Sequence, residues 1–316
     1  MSTTTTPASS RWRQHDGRLR VWLRVLIIVV VMFVAVGLTQ TTVLWLEPTP
    51  ALALHAVVVL ALAIPLFAWL TRRLDRRNLG SYGMRLDRGW WADMGAGVAA
   101  GLLIAPVYLL IDTLGGWAQI TDVWAAGRAQ PAVGAAVATA VLVNVAVAAW
   151  EELVFRGHLM SNASEALART RPPARAVIGA WIIATVVFAP LHANQLLHPD
   201  AAPTMALLWL AMGALFGLAY AYTGRLGLPI GIHLAGNLSF AQLFGLSGDF
   251  NGELAAIVRL DVEGPGWLAG PGGLAQLIAV AVAYLAVWGW LRRRHAPVHI
   301  HESIARAEGG VHEHAS

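Results

Sequence analysis

Apolar residues fall into eight long runs with polar, arginine-containing stretches between them. The first lies near 25–46 and contains Leu26-Ile-Ile-Val-Val-Val-Met-Phe-Val-Ala35. The others lie near 51–70, 91–112, from 134 into Glu151-Glu152, then 175–192, 204–222, 227–245 and 268–291. Crossing the hydrocarbon of a bilayer takes about 20 residues of helix, so each run predicts a transmembrane helix. The runs are continuously apolar rather than alternating, which argues against a β-barrel. The predicted fold class is therefore all-α, a polytopic membrane helix bundle of about eight transmembrane helices. No internal repeat and no second domain is visible. The chain divides into an N-terminal tail (1–24), N-terminal transmembrane helices (25–130), a core (131–245), a loop (246–267), the last helix (268–291) and a C-terminal tail (292–316). The first ten residues and the tail beyond Arg294 are expected to be disordered.

Arginine placement fixes the expected topology. All 22 basic residues are arginine. With the N-terminus inside, nearly all of them fall in inside segments, leaving only Arg128 and Arg259 outside. Such a bias follows the positive-inside rule, so both termini are expected to be cytoplasmic. The pI near 10.1 then reflects topology signals at helix ends, and nucleic acid is not an expected partner. A chain that is 57% hydrophobic and 13% charged is not an ordinary soluble domain. The absence of cysteine excludes disulfides, thiolate zinc sites and a cysteine nucleophile. The first span follows a polar lead of over twenty residues and has no clean cleavage site, so it reads as an uncleaved anchor.

Ionisable groups inside such runs are costly and persist where they are paired, line a wet cavity or do chemistry. Glu151, Glu152 and Arg156 stand in the fourth run. Residues four apart share a helix face, so Glu152 and Arg156 can pair, while Glu151 projects about 100° away. Ion pairing at a span end would explain Glu152 but leaves Glu151 unmatched beside Trp150 and Phe155. His192 follows Phe188 by one turn, with Pro190 between them; an interfacial histidine is the competing reading. His233 and Asn237 share one face of the seventh run, between Gly231 and Gly236, which permit close helix approach. They suit interhelical hydrogen bonding and oxyanion stabilisation equally. There is no His-Glu-x-x-His zinc helix, no Gly-x-Ser-x-Gly elbow and no phosphate loop. His295, His299, His301, His312 and His314 read as a solvated tail.

Taken in order, Glu151-Glu152…Arg156, Phe188…His192 and His233…Asn237 resemble the three motifs of the CAAX-protease and bacteriocin-processing (Abi) family of intramembrane glutamic endopeptidases. The stretch from Gly217 to Ile230 is similar to that family's approach to its third motif. The resemblance covers about 135–245 and not the first three spans. It implies a four-helix proteolytic core and hydrolysis of a peptide bond in a membrane-embedded or membrane-proximal substrate. By the same resemblance Glu151 and His192 activate water, His233 and Asn237 stabilise the oxyanion, and Glu152 with Arg156 supports them. No cofactor is expected, with zinc left open. The expected location is a bacterial inner membrane, the expected partners the bilayer and a peptide or membrane-protein substrate. Substrate identity and oligomeric state are left open. A non-catalytic role in bacteriocin self-protection or scaffolding is one alternative. Small-solute transport is another, though the matched helix breaks of repeated halves are not seen.

The simple topology places Glu151 and His192 at different depths. They meet only if the fourth helix continues past Arg156 towards Arg169, which the absence of Gly and Pro between 158 and 171 permits.

Overall fold

The computed structural model describes residues 11–41, 48–125, 133–192, 196–197, 203–240 and 256–306. The expectations for the first ten residues, for 241–255 and for the last ten fall outside these. The chain is a helix bundle. Helix α1 is Val21–Thr41. Helix α2 joins Pro48–Val58 and Ile64–Leu74 through a π-helical turn, Val59–Ala63. Pro65 lies just beyond that turn; it has no N–H to donate and its ring crowds the preceding carbonyls, so the ladder opens there. Helix α3 is Arg88–Leu114, capped by the Asp87 carboxylate on the Trp90 N–H. Helix α4 runs from Gly134 to Leu167. Helices α5 (Pro173–Phe188), α6 (Met205–Thr223), α7 (Gly227–Leu238) and α8 (Leu274–Arg294) complete the bundle. Among the described residues seven helices are long and apolar enough to cross a membrane, which makes this a multi-pass membrane protein. The exception is α7, whose described helix has 12 residues.

The continuation of α4 past Arg156 is present. It is a π-helix over Leu153–Met160 and α-helical again over Ser161–Leu167. At about 1.5 Å per residue its 34 residues span roughly 50 Å, well beyond the hydrocarbon thickness. The surplus is packed into the arginine-rich end of the bundle, where Ser161, Asn162, Ser164 and Glu165 are buried.

Glycines set the tightest crossing. A Cβ on Gly97 of α3 would lie 2.3 Å from the Leu228 carbonyl oxygen, and one on Gly101 2.6 Å from that of Ile232. On α7, a Cβ on Gly227 or Gly231 would meet the Trp90 or Met94 carbonyl oxygen at 2.3 Å. Both helices thus carry glycines four apart, and backbone packs on backbone without side chains between. Gly231 works as the sequence suggested; Gly236 meets only ordinary contact with Ile104.

The arginine-rich segments meet at one end. Arg18 and Arg77 pair with Glu165 of α4, at 2.6 and 3.1 Å. Arg24 and the Tyr82 hydroxyl donate to the two oxygens of Asp75, and the His158 ring lies 3.0 Å from that carboxylate. Burial would raise the Asp75 carboxyl, but the hydrogen bond and charge of His158 and the charge of Arg24 outweigh it and hold the group well below the usual carboxylate range.

One expectation is corrected. Residues 295–306 are not a disordered, solvated tail. His295 Nε2 lies 2.9 Å from buried Asp93, the His301 N–H donates to the Ala221 carbonyl, and Ile304 and Ala305 are buried. The C-terminal segment follows arginines with residues that have apolar and carboxylate partners in the bundle, and composition alone did not disclose them. The all-α expectation holds, and the bundle carries in addition one small antiparallel sheet, β1 (Ala118–Ala125) with β2 (Ala256–Val262). It ties the segment after α3 to the predicted 246–267 loop, so both lie at the same end.

Candidate active site

Adjacent positions on α4 send Glu151 and Glu152 in different directions. Glu152 points into the bundle and is fully buried. Its Oε1 accepts from Arg156 Nη1 at 3.0 Å and from His233 Nδ1 at 2.9 Å. An ionised carboxylate can only accept, so Nδ1 of His233 carries the proton in that bond. The ring is thereby oriented, and its Nε2 lies 3.8 Å from Glu151 Oε2. The Glu151 side chain keeps 17% exposure, and this separates the two carboxylates: one is structural in its surroundings, the other reachable. The π-helical turns begin directly after Glu152, and such widened turns concentrate at functional sites.

Arg156 is held on three sides. Nη2 donates to the Gly213 carbonyl of α6 at 3.2 Å, and the guanidinium lies 4.3 Å from the Phe188 ring centroid and 4.9 Å from that of Phe216. Phe216 also stacks on His233, with centroids 4.9 Å apart and planes 12° from parallel. Phe188 is the hub: its ring lies 4.8 Å from His192 and 6.4 Å from His233. The three sequence motifs therefore meet around one aromatic side chain.

His192 sits in the 3-10 turn Ala189–His192 that ends α5. Its Nδ1 donates to the Phe188 carbonyl at 3.3 Å, leaving the Nε2 lone pair available in the neutral ring. Trp209 of α6 stacks on it at 3.5 Å and 12°. Among the described residues no hydrogen bond or ion pair joins His192 to Glu151; the link runs through Phe188. Asn237 is half-buried one turn beyond His233, and its amide makes no hydrogen bond with a described residue. Glu151, Glu152, Arg156 and His233 are thus brought into direct proximity, and His192 and Asn237 flank them.

Two helices give the depth of the site independently. His233 lies six residues into α7, about 9 Å of rise. Glu151 lies six residues before Gly157, which packs against Tyr82 and Leu226 at the level where α7 begins, again about 9 Å. The site is therefore sunk below the arginine-rich end but not at the far side.

Trp209, Gly213 and Phe216 were not singled out from the sequence. They are apolar or small residues within an apolar run, and nothing polar marks them. The Gly97-x-x-x-Gly101 spacing was a readable signal for the α3–α7 contact. Among the described residues no group of three or more His, Asp or Glu is placed to hold a metal ion.

Residues 133–239 match the family model described as Type II CAAX prenyl endopeptidase Rce1-like, a likeness to proteases that covers about a third of the chain. All six residues of the site lie within the matched region. No curated protein and no solved structure matches the chain.

Proposed function

We propose that this chain is an intramembrane endopeptidase that hydrolyses a peptide bond by a glutamate-activated water, in a substrate embedded in or lying against the membrane. The observation that carries the reading is the asymmetry of the glutamate pair. Glu152 is buried and its Oε1 accepts from Arg156 and His233, while Glu151 is partly exposed and faces His233 Nε2. Glu151 takes a proton from water as the oxygen attacks the scissile carbonyl carbon. His233, gripped at Nδ1 by Glu152, presents Nε2–H in its imidazolium form to the oxyanion, and the Asn237 amide is a second donor. The tetrahedral intermediate collapses with cleavage of the C–N bond, and the proton held by Glu151 goes to the leaving amine. His192, whose Nε2 makes no hydrogen bond with a described residue, assists by accepting from the attacking water.

The family likeness supports the reaction class, and the arginine bias supports an orientation with both termini cytoplasmic, in what we take to be a bacterial inner membrane. A prenylated substrate is not part of the reading. The reading is metal-independent: Glu152 already serves Arg156 and His233, and Asn237 is a poor zinc ligand. Purified protein in liposomes, incubated with peptides from a membrane fraction, is expected to generate new termini detectable by mass spectrometry. A strong chelator is expected to leave the yield unchanged. No new termini from folded protein would remove the endopeptidase reading. Loss of cleavage on chelation, restored by zinc, would replace the glutamic mechanism with a metallopeptidase one.

A further inference from the structure

A second feature lies outside the site, where the start of α1, the end of α4 and helix α5 enclose an open groove of about 990 Å³. Its shaft is apolar, formed by Val25, Val29, Leu159 and Val187 among others. Its mouth is basic, with Arg13, Arg20 and Arg169 at the arginine-rich end. Among the described residues the one carboxylate lining the mouth, Asp16, is turned to Arg18 at 2.6 Å. The mouth has a fixed shape: Arg13 pairs with Leu19 in a β-bridge, Arg13 Nη1 donates to the Gly17 carbonyl, and Arg169 Nη2 donates to Gln14 Oε1 at 2.8 Å. Arg20 is exposed. Trp22 at the groove and its neighbour Trp12 are both half exposed, with Arg11 over the Trp12 ring at 5.2 Å. Exposed tryptophans beside arginines mark the headgroup level of a membrane.

We infer that this groove is a binding site for an anionic phospholipid, its acyl chain along the apolar shaft and its phosphate between Arg20, Arg13 and Arg169. Charge complementarity selects the occupant: a zwitterionic headgroup would bring a cation to a rim that already carries three, whereas a net negative one would not. Arginine is also the residue suited to forked contacts with phosphate oxygens. The inference is independent of the catalytic reading, because none of its residues belongs to that site.

The test uses the full-length protein in mild detergent, titrated with phosphatidylglycerol and with phosphatidylcholine of the same acyl chains. Thermal shift and native mass spectrometry are the readouts. Phosphatidylglycerol is expected to bind at least about tenfold more tightly, with the preference shrinking at high salt. Arg20→Gln alone should reduce the preference, and Arg20→Gln with Arg169→Gln should abolish it, with the melting temperature in phosphatidylcholine unchanged. Equal binding of the two lipids, or a preference that survives both substitutions, would overturn the proposal. A shift of the same size from water-soluble glycerol phosphate would overturn it in favour of a free-anion site.

Discussion

Single residues in this bundle divide into those that hold the site and those free to act. Asn237 is of the second kind, since its amide has no described partner and lies one turn from His233. Asn237→Ala is therefore expected to leave the melting temperature close to wild type. If the amide donates to an oxyanion, its loss should lower kcat by about 10²–10³ with little change in KM. A drop in stability instead of turnover would make it structural. Asp75 is of the first kind. Its carboxyl is depressed in the folded protein, so its contribution to stability is present above the unfolded value near 4 and is lost as pH falls below it. Thermal melts between pH 3 and 7 should show wild type losing stability below about pH 4. Asp75→Asn strands buried Arg24 and His158 and should cost about 3–5 kcal/mol at neutral pH. It should also show a weaker acid limb; a variant matching wild type throughout would contradict the assignment.

At the scale of elements, the α3–α7 crossing determines where His233 stands. Gly97 has a backbone oxygen where a Cβ would be, so Gly97→Leu must push the helices apart and is expected to reduce folded protein sharply. Gly95, two residues earlier, has nothing within 4 Å, so Gly95→Leu is the matched control and should be tolerated. Equal behaviour of the two variants in detergent melts would show that the crossing does not depend on the glycines. Much of this level was legible beforehand. The i,i+4 spacing of Glu152 and Arg156 announced their pair, and the lack of breakers after His158 announced the continuation of α4. The π-helical turns within that continuation were not legible, because Gly157, the one glycine inside them, does not by itself distinguish a widened turn from an ordinary helical one. The His233–Glu152 bond joins positions 81 residues apart, and periodicity within one helix carries no information about such a partner. Phe216 and Gly213 were invisible for the same reason: their role depends on which helix lies opposite.

Across the whole molecule, the polar inventory separates by depth. Glu151 and His233 lie about 9 Å below the start of α7, and Asn237 one turn deeper. The Asp75, Glu165 and arginine network closes the end above them and ties α1, α4 and the C-terminal segment together. The arginine pattern anticipated that these segments share an end. It did not anticipate that residues 295–306 pack against them, since His295 and Ile304 meet their partners only after folding. On the proposed reading, a rigid frame surrounds the carboxylate that acts, and the two should be separable by substitution.

That separation is measured most directly by comparing Glu151→Gln with Glu152→Gln in the same liposome preparation, scoring peptide cleavage and melting temperature together. Glu151→Gln keeps the shape and removes the proposed base, so cleavage should vanish while the melting temperature stays within a few degrees of wild type. Glu152→Gln strands buried Arg156 and unlatches His233, so both quantities should fall, with about 3–5 kcal/mol lost in stability. Cleavage at wild-type rate by folded Glu151→Gln protein would contradict the account at its centre.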